Sequence, residues 1–347
     1  MTLPPAPATM GDVAALAGVS TSTVSRALRD SPKISAGTRD RVHQAAAQLD
    51  FALSRTASAL ASGRLGRIGV LVSGPLRTWF NSSVLEAAYA TLREAGYELV
   101  IYRALDAADR ADFFARLPAR RNTDALVVAS FALSQQERSR LAELSVPVVY
   151  LNQVVEQNAG VSIDDTGGAA AGTRHLVNLG HRRLAYVSTR DPDGFTFSAA
   201  RRFSGAQHAA DQHDRARADD PIQALSRTVV PTGGDVADVG QVAVGQLLSS
   251  ERLPTAVICE TDDIAMSVIP ALSRAGLRVP QDISVLGFDD NAYAVLFDLT
   301  TVAQPVADLG RQAASVAIGL ARGEAAENLQ RMLPTRLVLR GSTAVPG

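Results

Sequence analysis

Cysteine occurs once in the 347 residues, as Cys259 in the apolar run TAVICE, so no disulfide can form within one chain. A buried strand cysteine is the expectation there. Catalytic signatures are missing too. No G-x-S-x-G elbow, G-x-x-x-x-G-K-[ST] phosphate loop, H-E-x-x-H helix or cysteine cluster is present. The five histidines (His43, His175, His181, His208, His213) show no metal-ligand spacing, and His181 in LGHRRL reads as a helix-to-strand turn residue. Catalysis, a metal and a cofactor are therefore not expected. No apolar run approaches the ~20 residues that span a bilayer, and MTLPPAPATMGD has neither a basic nor an apolar signal region. The expectation is a cytoplasmic protein with no membrane partner. Lysine is nearly absent, Lys33 against 33 arginines, which fits the coding bias of a GC-rich genome.

The remaining composition, 46% hydrophobic and 20% charged, is that of a globular protein long enough for two or three domains. The net charge of −1 conceals an asymmetry: residues 1–67 hold eight basic and four acidic side chains, leaving the rest at −5. A basic head on an acidic body points to a polyanionic partner for the head.

The head reads as three short helices. Thr9 caps TMGDVAALAG with Asp12 in its first turn, Val13, Leu16 and Ala17 form the apolar stripe, and Gly18 ends it. Ser20 caps a second helix in which Val24, Ala27 and Leu28 turn inward and Thr21, Ser22, Ser25, Arg26 and Arg29 turn outward. Ser35 caps a third, with Val42, Ala45, Ala46 and Leu49 on one side. Two short helices around a glycine turn, closed by a third, describe a helix-turn-helix unit. Small hydroxyl side chains on the second helix let its backbone approach a groove, and an arginine can bond guanine bidentately.

MGDVAALAGVSTSTVSRALRD resembles the DNA-binding head of the LacI/GalR family of bacterial transcription regulators, matching each fixed position of D-V-A-x-x-A-G-V-S-x-x-T-V-S-R-x-L from Asp12 to Leu28. The resemblance implies base contacts from Thr21, Ser22 and Arg26, and phosphate contacts from Thr9, Ser20, Thr23, Ser25 and Arg29. Arg29 departs from the family's usual Asn. In SRTASALASGRLGR, too short for a stable isolated helix, the matching hinge becomes helical on the operator. Leu60 then matches the leucine wedged into the minor groove.

From Arg67 apolar runs (RIGVLV, YELVIY, DALVVA, VPVVYL, then RRLAYV, RTVV, TAVICE, DISVLGF) alternate with helical stretches, the pattern of parallel βαβ units. Two runs of four or five strands suggest two lobes. GTRHLVNLGHRRLAYVS, ISVLGFDD, LTTVAQP and TRLVLRGST extend the resemblance to the family's periplasmic-binding-protein-like body. The expected fold is α/β: a helix-turn-helix head (1–53), a hinge (54–66) and a body (67–347) of two doubly wound parallel-sheet lobes. Lobe 1 is assigned 67–160 plus 291–322, and lobe 2 161–290 plus 323–347. Ligands of such sheets lie beyond the carboxyl ends of the strands. Trp79, Phe80 and Asn81 in TWFN, Thr261, and by resemblance Arg202 (R-x-x-G) and Asp289 (G-[FY]-D), are the effector candidates. An aromatic face beside charged hydrogen-bonding groups suits a sugar. TWFN replaces the family's N-P-F-F. The expected function is that of a homodimeric repressor of a pseudo-palindromic operator in double-stranded DNA, controlled by a small molecule held between the lobes. The alternative is a sugar-binding protein or sugar-processing enzyme of the same architecture without operator-specific regulation.

Overall fold

Capping places the head's helices where the hydroxyl residues fall. In the computed structural model, which describes residues 8–28, 31–51, 64–129, 132–155, 157–189, 198–230, 236–325 and 330–347, the chain forms two compact units, 1–66 and 67–347. Helix α1 (Met10–Ala17) starts in a capping box: the Thr9 amide donates to Asp12 Oδ2 at 2.8 Å and the Asp12 amide to Thr9 Oγ1 at 3.3 Å. Gly18, at φ +67°, ends it. Ser20 caps α2 (Thr21–Ala27) and Ser35 caps α3 (Ala36–Gln48), each accepting the amide three residues on. Val13, Ala14, Ala17, Val24, Ala27, Val42, Ala45 and Ala46 close the core. Leu16, expected in the apolar stripe, is instead exposed. At ~100° per residue it lies about 60° from Val13 on the side away from Ala14, which takes the inward position.

In the body, β1 (Arg67–Ser73), α4 (Trp79–Glu94), β2 (Glu98–Ala104), α5 (Ala107–Arg116), β3 (Ala125–Ala129), α6 (Gln135–Ala142), β4 (Val148–Leu151) and β5 (Ala159–Ile163) come first. Then follow α7 (Asp165–Asn178), β6 (Arg183–Thr189), α8 (Ser198–Ala216), β7 (Ala224–Val230), α9 (Val236–Leu248), β8 (Ala256–Cys259), α10 (Asp262–Arg274), β9 (Ser284–Asp289) and β10 (Thr300–Ala303). Last are α11 (Val306–Ala321), β11 (Gln330–Leu333) and β12 (Arg336–Val338). The first sheet runs β11-β5-β4-β3-β1-β2, all parallel. The second runs β12-β10-β9-β8-β6-β7, parallel but for β12. Cys259 is buried in β8.

The chain passes between the sheets three times: after β5 at Asp164, after β10 at Gln304, and between β11 and β12. These crossings correct the assigned boundaries. Residues 161–163, placed in lobe 2 from sequence, complete β5 in the first sheet; 300–303, placed in lobe 1, pair with β9 in the second; and 330–333, placed in lobe 2, form the edge of the first. The edge strands β11 and β12, four and three residues long with none buried, carry no apolar alternation to announce them. Helix α11 packs on α4, and its buried face, including Leu309, Ala313 and Ala317, joins the core around the first sheet.

His181 is more than a turn residue. It is 1% exposed and clasps the C-terminal strap, its Nε2 2.8 Å from the Ala344 carbonyl and its Nδ1 2.9 Å from Thr255 Oγ1. Burial, with His175 and Arg182 nearby, depresses its pKa below the ordinary 6.5. A depressed histidine stabilises the fold above the unfolded value and loses that contribution as the pH falls below about 6.5. Asp262, pushed up to about 6, works in the opposite direction. The readout is therefore the difference between variants: melting temperatures from pH 7.5 down to pH 5 should fall less steeply for His181→Gln than for the unmodified chain. Parallel slopes would count against the clasp.

Candidate functional site

In the head, burying Val24 and Ala27 against α1 and α3 turns Thr21, Ser22 and Arg26 outward, all exposed, along one side of α2. Ser20 Oγ lies 2.9 Å from both Ser22 Oγ and Thr23 Oγ1, so the helix opens on a cluster of hydroxyls. Ser25 is half-buried, and Thr9 is exposed in its capping box. Arg29, Leu60 and residues 54–63 of the hinge lie outside the described residues.

In the body, the crossings after β5 and β10 both leave from carboxyl ends of strands, which brings the carboxyl edges of the two sheets toward one region. Arg202, 4% exposed in the first turns of α8, is the centre of a buried network there. Its Nε donates to Asp165 Oδ1 at 2.9 Å, and its Nη1 to the Glu260 carbonyl at 2.8 Å and to Asp289 Oδ1 at 3.3 Å. The guanidinium also lies over the Phe288 ring, 3.7 Å from its centroid. Burial works against its charge, but the Asp165 and Asp289 carboxylates more than offset this and hold its pKa above the ordinary arginine value. Burial pushes the Asp289 carboxyl upward against the pull of Arg202, and does the same to Glu260.

Two glycines explain why the motifs read R-x-x-G and G-F-D. A Cβ on Gly205 would lie 2.2 Å from the Thr166 carbonyl oxygen, so its absence lets α8 press on the start of α7 and brings Arg202 to Asp165. A Cβ on Gly287 would lie 2.1 Å from Asp262 Oδ1. That close approach lets Asp262 accept the Thr301 hydroxyl at 2.5 Å and the Asn291 amide at 2.8 Å, tying α10 to β10 and to the segment after β9.

The other candidates divide. Trp79 and Phe80 open α4 and are half-buried against the first-lobe core, so each ring is partly committed to packing. Thr261 caps α10. Asn81 is 6% exposed and its Nδ2 donates to the Ser73 and Pro75 carbonyls, at 2.8 and 3.0 Å. Its donor capacity thus goes to the loop after β1 rather than to a ligand. Sequence reasoning missed Asp165, Glu260, Phe288 and Gln304. It also missed Asn152, whose Nδ2 reaches Ser198 Oγ at 2.9 Å. Phe288 and Gln304 stood in the quoted runs ISVLGFDD and LTTVAQP, whereas nothing local marks Asp165.

Residues 9–53 match the family "Bacterial regulatory proteins, lacI family", and residues 173–343 match "Periplasmic binding protein-like domain". The chain is 30% identical to the HTH-type transcriptional regulator GalR of Escherichia coli (strain K12), over 98% of this chain and 96% of that protein. Among solved structures it resembles the lac repressor dimer bound to operator and the anti-inducer ONPF, with a TM-score of 0.84, 28% identity and coverage of 98% and 100%. It also resembles the transcriptional regulator CelR in complex with cellobiose, with a TM-score of 0.68, 27% identity and coverage of 96% and 99%.

Proposed function

The chain belongs to the lacI family of bacterial regulatory proteins, and from that membership we propose that it is a homodimeric repressor whose grip on a pseudo-palindromic operator is set by a sugar held between the body lobes. The observation that carries the DNA reading is the outward row of Thr21, Ser22 and Arg26 on a helix whose opposite face is buried. Thr21, Ser22 and Arg26 read base edges in the major groove. Thr9, Ser20, Thr23, Ser25 and Arg29 hold phosphates, and Leu60 is the minor-groove wedge. In the body, Arg202, Asp289, Thr261, Trp79 and Phe80 face the effector, and Asn81 shapes the loop that carries the two rings. Carboxylates and a guanidinium beside aromatic faces suit the hydroxyls and apolar faces of a sugar, the class that the CelR complex contains. The role is binding and not catalysis.

A second copy supplies the second head. Tyr293, Val295 and Leu296 are 62%, 62% and 76% exposed around a short turn beside α10. Tyr293, with Phe297, Met266 and Pro270, borders an apolar groove of about 350 Å³. Tyr89 on α4 and Ile101 on the edge strand β2 are also exposed. Apolar surface of this kind marks an interface, and the lac repressor relative is a dimer.

Selection of duplexes from a random pool by the full chain tests this reading. It should enrich two inverted half-sites; recovery of unrelated sequences would refute it. Arg26→Ala should cost about 1–3 kcal/mol and relax preference at one position in each half-site. Unchanged preference in competition binding would remove Arg26 from the base-reading set.

A further inference from the structure

We infer that Arg120 and Arg121, on the body rather than the head, hold phosphates of the duplex that the head reads, so that each subunit grips DNA at a second place where no sequence is recognised. The inference rests on the DNA reading above. Helix α5 ends at Arg116, and the chain passes through Leu117 into a single 3-10 turn, Pro118–Arg121, ahead of β3. Leu117 sits at φ +45°, a left-handed conformation that a residue with a Cβ adopts only where its surroundings enforce it. Packing enforces it here, since Leu117 and Ala119 are 4% and 0% exposed in the core beside the first sheet. The turn therefore presents Arg120 and Arg121 to solvent from anchored backbone.

Nothing nearby balances their charge. No acid stands between Asp112 and Asp124. Asp112 is engaged by Arg116 at 2.7 Å, and Asp124 Oδ2 accepts the Arg67 amide at 3.2 Å. Arg120 and Arg121 have neither an ion pair nor a side-chain hydrogen bond among the described residues. Arginines in the last turn of a long helix answer its dipole, but a turn of four residues has little dipole to answer. Two neighbouring cations without counter-charge, on a stretch from 68 to 347 that is acidic overall, make a local site for a polyanion. Their place identifies which one. β1 opens at Arg67, so the chain coming from the head enters the body at the amino edge of the first sheet. The Arg67 carbonyl accepts the amide of Asp124, three residues past Arg121, at 2.7 Å, which sets the two arginines beside that entry. Only residues 52–63 separate Phe51 of the head from Arg64, a span of about 45 Å even if fully extended. A duplex held by α2 is thus on a short tether from this edge. Phosphates recur along both strands, so contacts to them need no base register.

The test is the salt dependence of the affinity of the full chain for its selected operator, carried on a duplex with flanking DNA. The double variant Arg120→Gln, Arg121→Gln should make the slope of log affinity against log salt shallower by about 3.6, four phosphate contacts per dimer at about 0.9 each. Its melting temperature and its preferred half-site sequence should stay those of the unmodified chain, because neither side chain packs or reads bases. Lysine at both positions should restore most of the slope, since a phosphate accepts a point charge. Arg215→Gln with Arg252→Gln removes the same charge from exposed positions in the second lobe. The carboxyl edges of the two sheets meet in one region, so this control lies toward the opposite end of the body and should leave the slope unaltered. An unaltered slope in the Arg120, Arg121 variant, or an equal change in the control, overturns the inference while leaving the DNA reading intact. A full chain that binds no duplex overturns both.

Discussion

Leu296→Arg should turn the dimer into a monomer and weaken binding to the selected operator by about 10²–10⁴-fold, because the second head then no longer binds at the effective concentration set by the first. Leu296 is the most exposed large apolar residue described, 76% accessible, and it lies in the same short turn as Phe297, which lines the groove beside α10. An arginine there brings a charge into a surface that must desolvate on pairing, twice in a symmetric interface. The head is untouched, so each half-site contact survives in the monomer. Sedimentation velocity reads the mass and a filter or gel assay the affinity. A variant that remains dimeric would remove this patch from the interface. A monomer with undiminished affinity would contradict the two-headed mode of binding.

Arg202→Ala should cost the body about 3–5 kcal/mol, the penalty of removing one member of a buried charged network. Asp165 and Asp289 are 1% and 7% exposed and both depend on this guanidinium for a charge-assisted bond. The Glu260 carbonyl loses a donor and the Phe288 ring loses its cation in the same step. Arg202→Lys restores a charge but not the fork that meets two carboxylates and a carbonyl at once, so it should recover only part of the loss. Urea unfolding, read as the shift in midpoint at constant slope, measures both. A loss below about 1 kcal/mol would mean that water reaches the carboxylates, in the way that surface pairs are solvated.

The head's helices were legible because their signals are local: Thr9, Ser20 and Ser35 each accept an amide three positions on and Gly18 closes α1 on the Ala14 carbonyl, with the exposed Leu16 as the exception. The strands named from apolar runs were legible for a similar reason, since a strand buried on both faces is a continuous apolar run, as ALVVA and AVIC are. What failed depended on distant partners. β10 is buried but only four residues long, and β11 exposes most of its side chains, so neither has a period to read. Arg202 and Asp289 could be named from motifs, but that they bond one another, and share Asp165 and Gln304, is a property of segments up to 139 positions apart in the chain. Asn81 shows the same limit: it lies in the first turn of α4, and its bonds to the Ser73 and Pro75 carbonyls, which tie it to the loop after β1, are announced by no local pattern.

Coupling between the cleft and the heads is read most directly as operator affinity with and without the sugar that most raises the melting temperature of the full chain. A coupling of about 1–3 kcal/mol, a change of roughly 5- to 150-fold in operator affinity, is the expected result. The Arg202→Lys variant should lose part of that response while binding the operator normally without sugar. A sugar that stabilises the protein yet leaves operator affinity the same would contradict the account.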